Sequence, residues 1–261
     1  MFPKITKMQK HILMIIANSP SPSYFRWFAE LNSKEKQFKF TYVFLLTENT
    51  HMAEIFRSYG VDVRWYFFDY AKPKRVQFIR LAFQLWRLFM KLKPDVVQTN
   101  LFDDSLPALF AARMAGIKKR VVTKQDTGYH ILYHPQYIKL DKFINSNATH
   151  ILPTSIETKE LVMLHESPPE KKVKIFNHGM SEEGITKTTP EQIAEFKKKY
   201  KLENKIVIGS VSRFVELKGY RYIISAAKLI VKKYPNLHFL FIGSGQQKEE
   251  LETLIAQNKL E

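Results

Sequence analysis

Cysteine is absent from the 261 residues. Neither a disulfide framework nor a thiolate metal site exists, and the fold does not depend on an oxidising compartment. Long hydrophobic runs are missing too. The apolar stretch at 12–17 is far too short to cross a bilayer and lacks a small-residue cleavage site, which places the chain in the cytoplasm. Acidic residues are outnumbered: 25 Asp and Glu stand against 41 Lys and Arg, a net charge of +16. That imbalance favours an acidic partner, whether the phosphates of a small ligand, an anionic membrane surface or nucleic acid. Nucleic acid is the weakest of the three. No basic tail, zinc-finger spacing or aromatic RNP-like strand accompanies the scattered lysines, and no nucleic-acid partner is expected.

What is present is a globular composition, 45% apolar and 25% charged, long enough for one large domain or two. Apolar runs at 11–17, 40–46, 61–68, 95–99, 120–123 and 150–153 read as strands. Helical spacing fills 24–32, 52–59, 76–92, 106–115 and 156–165. Such alternation predicts a doubly wound, mostly parallel α/β sheet. A short strand at 173–176 runs into "NHGM", and the polar stretch 181–190 reads as a linker. Alternation then restarts with a helix at 190–200, a strand at 205–211, a helix from 220, a strand at 237–242 and a helix at 247–258. Two domains follow, 1–180 and 181–261, with a cleft between them as the natural ligand site. Two strands are too few for the second sheet. By that count the chain is roughly 100 residues short of two complete domains, either a fragment of a longer product or a truncated relative.

The stretch "SVSRFVELKGYRYIISAA", 210–227, sets Arg213 and Lys218 on the loop between a buried strand and a helix. In an open α/β sheet that loop is where ligands bind. The stretch "IGSGQQ", 242–247, is a second strand-to-helix turn, in which Gly243 and Gly245 allow close backbone approach or simply make the turn. A dinucleotide fingerprint would need a third glycine, which "GSGQQK" does not supply.

Taken in order, the strand, "SRF", "KG", the long helix ending before Pro235, the next strand and "GSG" resemble the first half of the nucleotide-binding domain of family 4 glycosyltransferases. The segments "ATHILPTSIETKELV" and "KVKIFNHGM" resemble the end of that family's first domain. The resemblance implies a GT-B-like α/β fold: two Rossmann-like doubly wound domains facing a cleft, the second incomplete here. It implies a hexosyltransferase-like enzyme that moves a sugar from a nucleotide diphosphate donor to an acceptor hydroxyl, with retention and without a metal or other cofactor. In that reading Arg213 offers a planar fork to phosphate oxygens and Lys218 a compact charge. Lys218 and Gly219 stand at a helix start, where free N–H groups favour anions. Gly243 and Gly245 then lie against the donor. The competing account is that Arg213 and Lys218 are solvated loop charges.

Several places depart from the family pattern. The first loop, "ANSPSPSYFRWF", has serines and prolines where relatives carry paired glycines, and leaves Ser19 as a contact candidate beside Ser21 and Ser23, which also serve as caps. In "VVTKQDTGYHILYHP", Gln125 stands where many relatives place a histidine. It can hydrogen-bond a sugar but carries no proton near neutrality. Asp126 and His130 are candidates for sugar or acceptor contact, although an Asp before Thr-Gly is also an ordinary turn residue. The adjacent aspartates of "NLFDDSLPALFAAR" invite a metal, but Asp104 or Ser105 more naturally caps a helix beginning near 106. The paired glutamates of relatives cannot be located before Glu261.

The segment 72–95 is both apolar and basic. It reads as a sheet-covering helix with a solvated outer face, or as a membrane-surface helix suited to a lipid-linked acceptor, with contact through 72–93 at the inner face of a membrane. Two other functions remain open: a non-catalytic remnant that binds membranes or a partner through its basic surface, and a GT-B sugar-nucleotide epimerase needing additional acid/base residues.

Overall fold

The strand β1 (Lys10–Ala17) is apolar on both faces because both faces are covered. Leu13 and Ile15 pack with Leu81, Leu85 and Phe89, while Met14 and Ile16 pack on the opposite side with Tyr42, Phe44 and Phe56. Alternation along one strand thus feeds two separate cores. In the computed structural model, which describes residues 9–17, 22–48, 51–125, 128–177, 179 and 187–260, the chain divides into units Met1–Gly184 and Ile185–Glu261.

In the first unit the order of elements is β1, α1 (Pro22–Lys34), β2 (Phe38–Leu46), α2 (His51–Ser58), β3 (Asp62–Phe67), α3 (Lys74–Leu92), β4 (Val96–Thr99), α4 (Phe102–Met114), β5 (Lys119–Lys124), α5 (Tyr129–Tyr133), α6 (Ile138–Asn147), β6 (His150–Pro153) and α7 (Ile156–Leu161). The six strands pair in parallel in the order β3-β2-β1-β4-β5-β6. The order reverses between β1 and β4, and ligands of such sheets sit beyond the strand ends at that switch point. A third core, including Leu109, Val122, Ile144 and Ile151, lies between α4, α6 and the strands β5 and β6.

In the second unit α8 (Pro190–Lys199) precedes β7 (Ile206–Val211), α9 (Tyr220–Ile230), β8 (Leu237–Ile242) and α10 (Lys248–Gln257). The strands β7 and β8 pair in parallel, and Phe214, Tyr220, Ile224 and Leu251 form the core beside them. Thr189 and Gln192 cap α8 reciprocally, with Pro190 in its first turn.

Five expectations need correction. The strand before Arg213, expected to be buried, is exposed along nearly all of β7. The fourth helix starts at Phe102, four residues ahead of its expected start near 106, so Asp104 lies in its first turn and accepts the Leu101 N–H at 2.8 Å. Two helices, α5 and α6, went unforeseen because the Tyr- and His-rich run around Pro135 has no clear apolar period. The helix expected to 165 leaves α geometry after Leu161 and continues as a π-helical turn, Val162–Glu166. Residues 173–176 make one bridge, Val173 to Ile151, in place of a full strand. Among the described residues no helix is long and apolar enough to cross a membrane.

Candidate functional site

In the second unit the loops leaving β7 and β8 are laced together by backbone hydrogen bonds. Ser212 N donates to Ile242 O at 3.1 Å, Phe214 N to Ser244 O at 2.8 Å and Gln247 N to Phe214 O at 3.1 Å. Phe214 is buried and meets the Tyr220 ring edge-on at 4.9 Å. Ser212 Oγ donates to the Tyr220 hydroxyl at 3.0 Å, fixing the first residue of α9 to the end of β7. Arg213 therefore projects from a segment pinned on both sides, and its side chain is exposed.

Lys218 ends a short 3-10 turn, Glu216–Lys218, and is exposed as well. Gly219 caps α9 with φ +66°, a conformation that costs a side-chain-bearing residue, and no side chain caps the helix. The acid nearest in sequence, Glu216, accepts from Gln247 Nε2 at 2.6 Å and lies 3.8 Å from Arg221. Its partners stand on α9 and just ahead of α10. Among the described residues Arg213 and Lys218 have no hydrogen-bonding or ionic side-chain partner, so both cations are available.

Gly243 and Gly245 have a packing duty that the sequence did not reveal. A Cβ on Gly243 would overlap the Ser212 carbonyl oxygen and lie 3.2 Å from Phe214 Cε1; one on Gly245, at φ +156°, would overlap the Phe214 carbonyl. These glycines let the β8 loop close onto the loop that bears Arg213.

The family is decided by the match of residues 37–183 to the family described as Glycosyltransferase Family 4. The chain belongs to it. Residues 192–261 also match the family described as Glycosyl transferases group 1. An uncharacterised glycosyltransferase of Methanocaldococcus jannaschii is 22% identical over 197 residues, 70% of this chain and 47% of that protein. The chain thus spans about half the length of that relative. Among solved structures, Anabaena HepE in complex with UDP and glucose aligns with TM-score 0.77 and 14% identity, covering 97% of this chain and 67% of that one. The UDP-GlcNAc 2-epimerase from Neisseria meningitidis bound to UDP-GlcNAc aligns with TM-score 0.58 and 13% identity, covering 95% and 69%. The architecture is therefore that of the GT-B class.

In this family 4 member, the sites expected in the first unit fare unevenly. Ser19 and Asp126 lie outside the described residues. Gln125 is exposed directly after β5. His130 belongs to a side-chain network: its Nδ1 lies 2.6 Å from Asp141, its ring meets Phe102 edge-on at 4.6 Å, and Tyr137 lies against a further side. The same Asp141 accepts from Lys124 Nζ at 2.9 Å, and Glu166 lies 2.9 Å from that ammonium. Burial alone would lower the Lys124 pKa, but Glu166 and Asp141 outweigh it and hold it above its ordinary value. This buried network fastens the end of β5, and hence the approach to Gln125, to α5, α6 and the π-helical turn. Sequence reasoning missed it because its members lie far apart in the chain.

At the switch point, Asp104 is fully buried and takes backbone N–H groups from both sides: Ala17 of β1 at 3.3 Å, and Asn100 and Leu101 after β4. Asp103 pairs with Lys74 at 2.8 Å, so the adjacent aspartates point to different tasks. Burial pushes the Asp104 carboxyl up to about 7 against the pull of its donors. A raised folded-state pKa means the folded chain binds this proton more tightly than the unfolded chain. Its contribution is fully favourable below about 4 and is lost as pH rises toward 7, at up to about 1.4 kcal/mol per pH unit. Wild type should therefore lose stability relative to Asp104→Asn between pH 4 and 7 in denaturant titrations. Parallel stability curves for the two proteins would show that Asp104 titrates normally.

Proposed function

We propose that the chain comprises the acceptor-side domain and the start of the donor-side domain of a glycosyltransferase. The reaction moves a sugar from a UDP-sugar to an acceptor hydroxyl, with retention and without a metal. The observation that carries this is the pinned loop 212–219, which presents Arg213 and Lys218 uncompensated at a strand end in a chain of this family. As the bond between sugar and diphosphate breaks, negative charge gathers on the leaving group. A guanidinium and an ammonium carried on a pinned backbone stabilise it. The UDP in the HepE complex supports the choice of nucleotide. Gln125, with Asp126 and Ser19, belongs to the sugar and acceptor side of this proposal; His130 contributes by bracing the Gln125 loop. The acceptor is a glycan or a lipid-linked glycan, and the chain works at the inner face of a membrane, touching it through 72–93.

Calorimetric titration with UDP tests the reading. Wild type is expected to bind, with Arg213→Ala weakening affinity roughly ten- to a hundredfold and Lys218→Ala about tenfold, the usual range for charged hydrogen bonds. Equal affinity in all three proteins, or no binding by wild type, removes the assignment. The epimerase neighbour makes a second reading worth separating. Formation of a 2-epimer from UDP-GlcNAc with no acceptor present would favour it.

A further inference from the structure

The helix α3 carries two apolar stripes. Leu81, Leu85, Leu88 and Phe89 are buried against the sheet. Val76, Ile79, Phe83, Trp86 and Met90 recur at alternating steps of three and four and are 74%, 68%, 56%, 36% and 47% exposed. At about 100° per residue the second stripe fills an arc of roughly 80° centred nearly opposite the first. A sheet-covering helix has no need of it. Arg75 borders the stripe on one side, and Arg80, Arg87 and Lys91 on the other; the Arg87 guanidinium lies over the Phe83 ring at 5.8 Å. From 70 to 94 the sequence contains no Asp or Glu.

The exposed apolar face extends past α3. Next to it α4 presents Phe110 at 42% and Met114 at 63% exposure, and α6 presents Phe143, whose ring lies 6.0 Å from that of Phe110. Near the start of α3 a groove of about 750 Å³ is lined by Phe78, Ile79, Phe102, Leu106 and Tyr137, with Lys72 and Arg75 also on its wall.

We infer that the α3–α4–α6 face is a docking surface for an anionic bilayer, which extends the membrane contact proposed for 72–93 from one helix to a three-helix face. Charge selects this occupant over a second copy of the chain. Stripe pairing between two copies in either orientation sets arginine against arginine, Arg80 facing Arg75 or Arg87. Anionic headgroups complement the same cations on both borders, while the aromatic stripe enters the interface between headgroup and acyl chain. A face three helices wide also fits a flat surface better than the single seam of one partner helix.

Co-sedimentation with phosphatidylcholine vesicles, with and without phosphatidylglycerol, at low and high salt, tests this. Wild type is expected to bind only the phosphatidylglycerol vesicles, and more weakly at high salt. The double variant Phe83→Ser/Trp86→Ser should lose binding, and Phe110→Ser/Phe143→Ser, which leaves α3 untouched, should weaken it at least tenfold. Wild-type binding by the latter alone would confine the contact to α3 and overturn the three-helix face. Circular dichroism and UDP titration, unchanged in both variants, keep folding and the donor site separate from the result. Three further outcomes overturn the inference. Wild type fails to bind phosphatidylglycerol vesicles at low salt, both variants bind as wild type does, or sedimentation velocity shows a dimer that Phe83→Ser/Trp86→Ser abolishes.

Discussion

Replacing Lys124 by Met is expected to destabilise the first unit by about 3–5 kcal/mol, the cost of leaving buried charge unpaired. The ammonium, 12% exposed, lies 2.9 Å from both the Asp141 and Glu166 carboxylates, themselves 8% and 15% exposed. Methionine fills similar space and pairs with neither. Burial raises the Asp141 pKa, but its hydrogen bond to His130 and the charge of Lys124 bring the net below the ordinary value. A depressed folded-state pKa gives stability that is present above about 4 and is lost as pH falls through the folded value. Without the ammonium, Asp141 loses the charge that holds its pKa down and takes up a proton more readily. The deficit of Lys124→Met should therefore be largest near neutrality and shrink in acid. Adding Asp141→Asn and Glu166→Gln to Lys124→Met should restore much of the loss at neutral pH, because the deficit comes from stranded charge. Hydrogen exchange should show amides at the end of β5 and in α6 exchanging faster in the single variant. Wild-type stability in Lys124→Met would mean that the network contributes nothing.

That network also marks where the sequence stopped being readable. Strands such as β1 and β2 announce themselves through continuous apolar runs, and helices such as α3 and α9 through their period, since each signal is local. The loop of Arg213 was legible for the same reason: strand, cation, glycine and helix stand within a dozen residues. The fixing of Asp141 and Glu166 around Lys124 is decided by how α6 and the π-helical turn pack against β5, and no window of sequence contains all three. His130 shows what that omission did. In the fold its Nδ1 lies 2.6 Å from Asp141 and its ring meets Phe102 edge-on, contacts that the loop sequence beside Gln125 does not show. Helix α4 failed differently. Pro107 and the adjacent aspartates blurred its start: the proline lies inside the helix, where it normally argues against one, while the early acids favour a helix N-terminus.

The glycines of the β8 loop allow a sharper test of the donor site than removing a charge. Gly243→Ala is expected to destabilise the second unit by about 3 kcal/mol, at the upper end of what forced overpacking costs. Its Cβ meets backbone, the Ser212 carbonyl, which cannot rotate aside as a side chain would. The β8 loop must withdraw, breaking the bonds from Phe214 N to Ser244 O and from Gln247 N to Phe214 O. Arg213, held between Ser212 and Phe214, then loses its fixed position. UDP affinity should fall at least as far as in Arg213→Ala, although no charge has been removed. Gly209 is the control: it lies within β7, and a Cβ there meets nothing within 4 Å. Gly209→Ala should keep both stability and UDP affinity near wild type. If Gly243 matters only because a nucleotide approaches its backbone, Gly243→Ala will weaken UDP binding and leave the stability of the free protein unchanged. If it matters because two loops interlock to aim an arginine, stability and affinity will fall together. The overlap with Ser212 favours the second result.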